Sequence, residues 1–586
     1  MRLLLAFSLA LAAAAAPPAQ DRRNTETPHT DTHFTMPDYP TREAWETRAR
    51  ALRRQILFAA GLDPMPARTP LRPQIFGRLE RQGYSIEKVL LETMPGYYLG
   101  GNLFRPLGRT GKLPAVLSPH GHWLYGRLEH QPLGSVPTRA IQLARQGYVV
   151  FTYDMVGYND TLQTPHVFGG AREQLWGFGP LGLQLWNSIR AADFLESLPE
   201  VDRARLGMTG ASGGGTQTFL MYAVDDRIAY AAPVNMISAI MQGGSPCENA
   251  PGLRVGAFNV EIGALMAPKP LLMVSATGDW TRNTPQEEYP AIRRIYDLYG
   301  AGDKVETVLI DAPHNYNQAS REAMYRFFAK HALGDAESAT SEKYQEQRTA
   351  LEPLQNMLAL HGRTLPPGAL TYDQLFAQWV EAAREQTGAA DPAALRQRLA
   401  LALHAEWPAG VEHEANGERI VLGRPGRGDR VPGIWLPGKN RTAATVVVHP
   451  EGAEAARATA AAEGRRRAGR ALLALDVFQT GAARAPRDRS HRFFLTFNVS
   501  DDAARVQDIL TGLAWLRQAG YSELELLGLD KASVWASFAA AVTPERIALE
   551  ADTSWFAGDD EAFATHFPVP GIQRAGGLDA ARRARP

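Results

Sequence analysis

Short apolar runs alternate with longer stretches of helical periodicity along residues 39–335. The runs PAVLS, YVVFTYD, ARLGMTG, PLLMVSA and VETVLID suit strands buried on both faces, where no polar residue alternates with apolar ones. Between them TRAIQLARQG, LQLWNSIRAADFLESL, GTQTFLMYAV, EYPAIRRIYDLYG and REAMYRFFAKHAL carry the i, i+3, i+4 spacing of helices. Strand, loop and helix in that alternation predict a mostly parallel sheet covered on both faces, an α/β fold. Ahead of it, REAWETRARALRRQILFAAGL predicts a helix with Trp45, Leu52, Ile56 and Leu57 near one face and a stop at Gly61.

The pattern starts again further on. ATVVVHPEG parallels AVLSPHGH, ALLALDVFQTG parallels VVFTYDMVGYN, and ELLGLDKASVWASF parallels RLGMTGASGGGTQTF, in the same order and at similar spacing. Residues 408–586 therefore read as a second, truncated copy of the first module. Residues 336–407, charged and rich in Ala and Gln with two helical stretches, read as a helical linker between them. A chain of 586 residues exceeds what one core usually holds, in keeping with two domains.

At the start, Met1-Arg2 followed by LLLAFSLALAAAAA has the charged beginning, short apolar run and small-residue exit of an export signal over residues 1–19. The run is too short to span a bilayer, so no stable membrane insertion is expected. Residues 20–38 are polar and read as a flexible tail. Lys plus Arg number 62 and Asp plus Glu 62, which gives no reason to expect a nucleic-acid partner. The expected location is the periplasm or the medium, the expected partner a neutral or small molecule. Oligomeric state is not written in the sequence. Cys247 is the only cysteine, so no internal disulfide forms.

The candidate chemistry begins where ARLGMTG runs into Ala211-Ser212-Gly213-Gly214-Gly215 and then a helix. This G-x-S-x-G at a strand-to-helix junction makes Ser212 the candidate nucleophile, with glycines where the turn is too sharp for a Cβ. A serine needs a base, and His314 follows the strand VETVLID in the loop Ala312-Pro313-His314-Asn315-Tyr316. Asp279, after PLLMVSA, supplies the orienting acid; Asp311, close to His314 at a strand end, is the rival and reads as a turn or capping residue. The Gly213 N–H is one donor to an oxyanion, and His122 or Trp123 in Pro119-His120-Gly121-His122-Trp123 supplies the second. His120 and His122 lack a third ligand at a recognisable spacing, so no metal is expected, and acyl transfer needs no cofactor. Trp123, Trp176 and Trp280, with His120, are the candidate substrate contacts. Asp154 and Asp160 in TYDMVGYND read as loop-fixing acids.

Together GASGGGTQTF, SPHGHW, TYDMVGYND, GDWTRNTP and the APHNY loop resemble the acetyl xylan esterase-like branch of the α/β-hydrolases, over about Tyr39 to Asp335. The resemblance implies an α/β-hydrolase fold, a Ser212-His314-Asp279 triad and hydrolysis of acetyl or other small acyl esters of plant-type polysaccharides, with methyl esters of uronic acids as an alternative. Glucuronoyl esterases place Arg and Lys shortly after the nucleophile, where this chain has Gly214, Gly215 and Thr216. A serine peptidase would share the triad, but no repeat or acidic pocket for a peptide terminus accompanies it. A glycan-binding protein would not need the triad. In the second copy Ser533 falls opposite Ser212, flanked by Lys531, Val534 and Trp535 where small residues are required, so that copy is expected to be catalytically silent.

Overall fold

A computed structural model describes residues 20–586, and the export signal expected over 1–19 lies outside the described residues. The first domain is a nine-stranded sheet built from β1 (Gln74–Arg81), β2 (Tyr84–Met94), β3 (Tyr97–Pro106), β4 (Leu113–Leu117), β5 (Val149–Tyr153), β6 (Val201–Ala211), β7 (Ile228–Val234), β8 (Leu271–Gly278) and β9 (Val305–Pro313). Their order across the sheet is β1-β2-β3-β5-β4-β6-β7-β8-β9. The first three strands form an antiparallel meander and the rest run parallel, as crossover helices demand. The five strands expected from apolar runs are all present. The meander and β7 lacked that signal: β2 carries Glu87, Lys88 and Glu92 within it, and β7 is rich in Ala.

The expected N-terminal helix is α1 (Arg42–Ala59), which buries Trp45, Leu52 and Ile56, and the chain leaves it through Gly61 at φ 66°. Helices α2 (Val136–Gln146), α3 (Pro180–Ser197), α4 (Gly213–Val224) and α5 (Gln318–Phe328) follow their strands as the periodicity predicts. Helix α3 is buried nearly all round, between the sheet, α4 and the turn Pro246–Glu248.

The second domain is a seven-stranded sheet of β10 (Glu412–Asn416), β11 (Arg419–Gly423), β12 (Val431–Leu436), β13 (Ala443–Val448), β14 (Ala471–Leu475), β15 (Glu523–Gly528) and β16 (Ala548–Ala551). Its order, β10-β11-β12-β14-β13-β15-β16, repeats the first seven positions of the first sheet and then stops. Counterparts of β8 and β9, the strands that lead to Asp279 and His314, are absent from it.

Two segments differ from expectation. Residues 20–38 are fastened down rather than free: Arg23 pairs with Asp508 of the second domain, and Phe34 stacks between Phe258 and Phe497. The sequence hid this because the tail's anchors are single side chains with no periodicity. The region 336–407 is more than a linker. Helix α6 (Tyr372–Gly388) packs on the first domain through Trp379, and α7 (Pro392–Leu403) packs on α8 (Asp501–Gln518), α9 (Ala532–Val542) and α10 (Gly577–Arg583) of the second. One continuous apolar core consequently runs from Trp45 through both domains to Ala584.

Candidate active site

Ser212 stands between β6 and α4 with φ 58° and ψ −126°, a backbone conformation that costs a non-glycine residue on the order of 1–3 kcal/mol. The glycines around it explain how the chain closes so sharply. A Cβ on Gly210 would lie 2.6 Å from the Gly214 carbonyl oxygen, and one on Gly214 would lie 2.8 Å from that of His120. The Ser212 N–H donates to Val234 O at 3.1 Å, which ties the turn to β7. At the start of α4 the Gly213 N–H is free of intrahelical partners and sits at the positive end of the helix dipole.

His314 follows β9, and its Nδ1 lies 3.2 Å from Asp279 Oδ2. This is ion-pair distance without hydrogen-bond alignment, and both ring nitrogens are buried without a hydrogen-bonding partner. The Asp279 carboxylate is fully enclosed and accepts from the Trp280 N–H at 2.7 Å and Thr281 Oγ1 at 3.0 Å. Asp311 is exposed and accepts the Thr277 hydroxyl at 2.7 Å, a bond between neighbouring strands and not the turn or cap expected of it. The loop carrying His314 is stitched toward Ser212 from both sides. Asn235, just past β7, donates to Asn315 O at 3.0 Å, and the Tyr316 N–H donates to Leu133 O at 2.6 Å.

The loop after β4 approaches Ser212 so closely that a Cβ on Gly121 would lie 3.2 Å from Ser212 Cβ. Of its two candidate donors, the Trp123 N–H is taken by Gly121 O at 2.8 Å, whereas that of His122 has no partner among the described residues. The His122 ring lies against Gly213, where a Cβ would come within 2.5 Å of it. His120, expected to touch substrate, is instead buried and shapes the loop: its Nδ1 donates to Gly121 O at 2.7 Å and its Nε2 accepts from the Met155 N–H at 2.9 Å. Burial pushes its pKa down to about 3, so the ring stays neutral.

Trp280 and Trp123 are both at the site. The Trp280 ring lies 4.4 Å from that of His314, and Trp123 Nε1 would sit 3.0 Å from a Cβ on Gly121. Trp176 is not at the site. It is buried at the domain boundary, donates to Asp560 at 2.8 Å and accepts from Trp379 at 3.0 Å, so no ring face is left for a sugar. Asp154 and Asp160 close on the buried guanidinium of Arg127, and Asp160 also accepts the Ala359 and Leu360 N–H groups at 2.8 and 2.9 Å. Burial raises Asp154 to about 6, against the opposing pull of Arg127. These acids brace the loop and pin the chain beyond the first domain.

A third partner for His122, unrecognisable from sequence spacing, appears in space. His122, His166 and Cys247 bring a ligand atom each within 4.8 Å of one another. Burial raises the Cys247 thiol above its ordinary range. Next to this cluster, Val167 and Pro246 line a cavity of about 1400 Å³ between the domains. Seven arginines line it (22, 23, 48, 54, 424, 427 and 487) against two acidic residues, Glu26 and Glu406. Arg23, Arg48, Arg424 and Arg487 are backed by carboxylates outside the lining, while Arg54 has only Asp63 at 3.9 Å.

No family profile matches the chain. Over 306 residues it is 28% identical to the protein named "Putative hydrolase YtaP" of Bacillus subtilis (strain 168), a match spanning 48% of this chain and 99% of that one. Among solved structures, Methylesterase BT1017 shares 29% identity at a TM-score of 0.51, with 60% of this chain and 78% of that one covered. A glucuronoyl esterase from Solibacter usitatus, 17% identical at a TM-score of 0.40 over 50% of this chain and 99% of its own, is too distant to bear on function. No helix among the described residues is long and apolar enough to cross a membrane.

Proposed function

We propose that this chain, a carboxylic ester hydrolase of the esterase branch of the α/β-hydrolases, is an exported serine enzyme that cleaves carbohydrate esters through Ser212, His314 and Asp279. The observation that carries the reading is the conformation of Ser212. A non-glycine residue held at φ 58° beside the unpaired N–H of Gly213 has no structural purpose as evident as nucleophilic attack. His314 takes the serine proton as Oγ attacks the ester carbonyl, and Asp279 holds the imidazole and stabilises its cation. The N–H groups of Gly213 and His122 receive the oxyanion, the alcohol leaves with the proton from His314, and water releases the acyl group by the same route. Export is supported by the charged start and short apolar run of residues 1–19.

Methyl esters of uronic acids are favoured over acetyl esters as substrate. Likeness to a methylesterase supports this. Purified protein supplied with methyl-esterified and with acetylated polysaccharides should release methanol from the former. Release of acetate alone would move the assignment to acyl esters of neutral sugars. Failure on both, together with failure on p-nitrophenyl acetate, would remove the enzymatic reading.

A further inference from the structure

His122, His166 and Cys247 come from three separate loops: after β4, between β5 and α3, and in the short turn Pro246–Glu248. His122 Nε2 lies 3.1 Å from Cys247 Sγ, and the His122 and His166 rings are 5.1 Å apart between centroids. His166 Nδ1 donates to Val156 O at 2.7 Å, which leaves its Nε2 as a bare lone pair, buried and without a partner. A backbone carbonyl on one imidazole nitrogen, fixing the other for an ion, is the usual support of a metal-binding histidine. An orphaned buried acceptor otherwise costs about 1–3 kcal/mol. The Cys247 turn is held just as firmly: Glu248 accepts the Gly244 N–H at 2.9 Å and the Thr216 hydroxyl of α4 at 3.0 Å.

From this geometry we infer that His122, His166 and Cys247 bind one thiophilic divalent cation of the Zn²⁺ class at the rim of the ester site. Two imidazoles and a thiolate are a soft donor set that selects such ions over Mg²⁺ or Ca²⁺. In a tetrahedral Zn²⁺ site, ligand atoms stand roughly 3.3–3.7 Å apart, so the widest separation here closes by about 1 Å through rotation of the histidine rings. The ion displaces the thiol proton to solvent, as metal binding to cysteine requires. Its fourth position is left for water or a substrate oxygen. The site shares His122 with the ester reading, through its ring and not its N–H, and metal binding is read without turnover, so the two can fail separately.

The test uses the full chain, stripped with a chelator and titrated with Zn²⁺ and with Co²⁺. One equivalent of Zn²⁺ should bind at micromolar Kd or tighter and raise the thermal midpoint. The Co²⁺ form should show a near-ultraviolet thiolate-to-metal charge-transfer band. Cys247→Ser should abolish the band, and His166→Gln, in a half-buried loop position that tolerates an amide, should weaken Zn²⁺ binding at least tenfold and remove the thermal shift. Absence of the thiolate band, or undiminished Zn²⁺ affinity in His166→Gln, overturns the assignment; the second variant decides the matter if Cys247→Ser does not fold.

Discussion

The Tyr316 hydroxyl lies 2.6 Å from Thr209 Oγ1, joining the loop that carries His314 to the strand that carries Ser212. Thr209 donates in turn to Ala232 O at 2.7 Å, so Tyr316 is the donor of the pair. The same ring covers the buried guanidinium of Arg139 at 4.6 Å. The anchor lies two residues from His314 and ties its loop to the strand that ends at Ser212. Tyr316→Phe should therefore lower kcat several-fold, leave KM nearly unchanged and cost about 1 kcal/mol of stability. Paired kinetics and denaturant melts check this; an unchanged kcat would show that the backbone bonds alone hold the loop.

Ser212→Ala should abolish ester hydrolysis without unfolding the protein, because the hydroxyl makes no hydrogen bond among the described residues and alanine is no bulkier. A fluorophosphonate should label the wild type at Ser212. Label found on any other serine, or residual turnover near wild type, would dismiss Ser212 as nucleophile.

Asp279→Asn should reduce turnover by about 10⁴ with little change in KM, since an amide favours the wrong imidazole tautomer and leaves the imidazolium unsupported. Asp311→Asn, at an exposed position bonded to Thr277, should cost little. The reverse ranking would transfer the acid's role.

Acid should weaken the fold through His120. The unfolded imidazole takes a proton near 6.5, the folded one not until about 3, so between those values the unfolded state binds more protons. Stability from this group is complete above pH 6.5 and falls by up to about 1.4 kcal/mol per pH unit below it. Asp154, raised to about 6, works the other way as pH falls. The clean readout is therefore a difference. His120→Gln should be less stable at pH 7 yet lose stability less steeply between pH 6.5 and 4, by about one proton. Parallel slopes would remove His120 from the acid response.

Ser533→Ala should leave activity untouched. The comparison of the two domains corrects the pairing of Ser533 with Ser212. A Cβ on Gly528 would meet Ala532 O, as one on Gly210 meets Gly214 O, which makes Asp530, at φ 50°, the counterpart of Ser212. Ser533 is buried within α9 and accepts from Trp555 Nε1 at 3.1 Å. Ending the chain at residue 335, by contrast, should leave insoluble protein, because it exposes the apolar core shared by both domains. Soluble, active protein after that truncation would contradict a shared core.

Local pattern was enough for the parallel strands, their helices and the chain order of Ser212, Asp279 and His314. Buried strands and amphipathic helices are written in neighbouring residues, and a strained serine needs glycines two positions on either side. The same locality accounts for the repeat of ATVVVHPEG after AVLSPHGH, which the two sheet orders bear out. Whatever depends on distant residues meeting was decided by tertiary structure. Trp176 looked like a loop residue at the ligand end of the sheet until Asp560 from the second domain and Trp379 from the connecting helix α6 met it and buried it. The tail at 20–38 became ordered because Asp508 and Phe497 lie far along the chain yet beside it in space. Likewise His122, His166 and Cys247 share no sequence spacing. Three loops at one end of a parallel sheet bring their side chains together, because every strand there points its C-terminal end the same way.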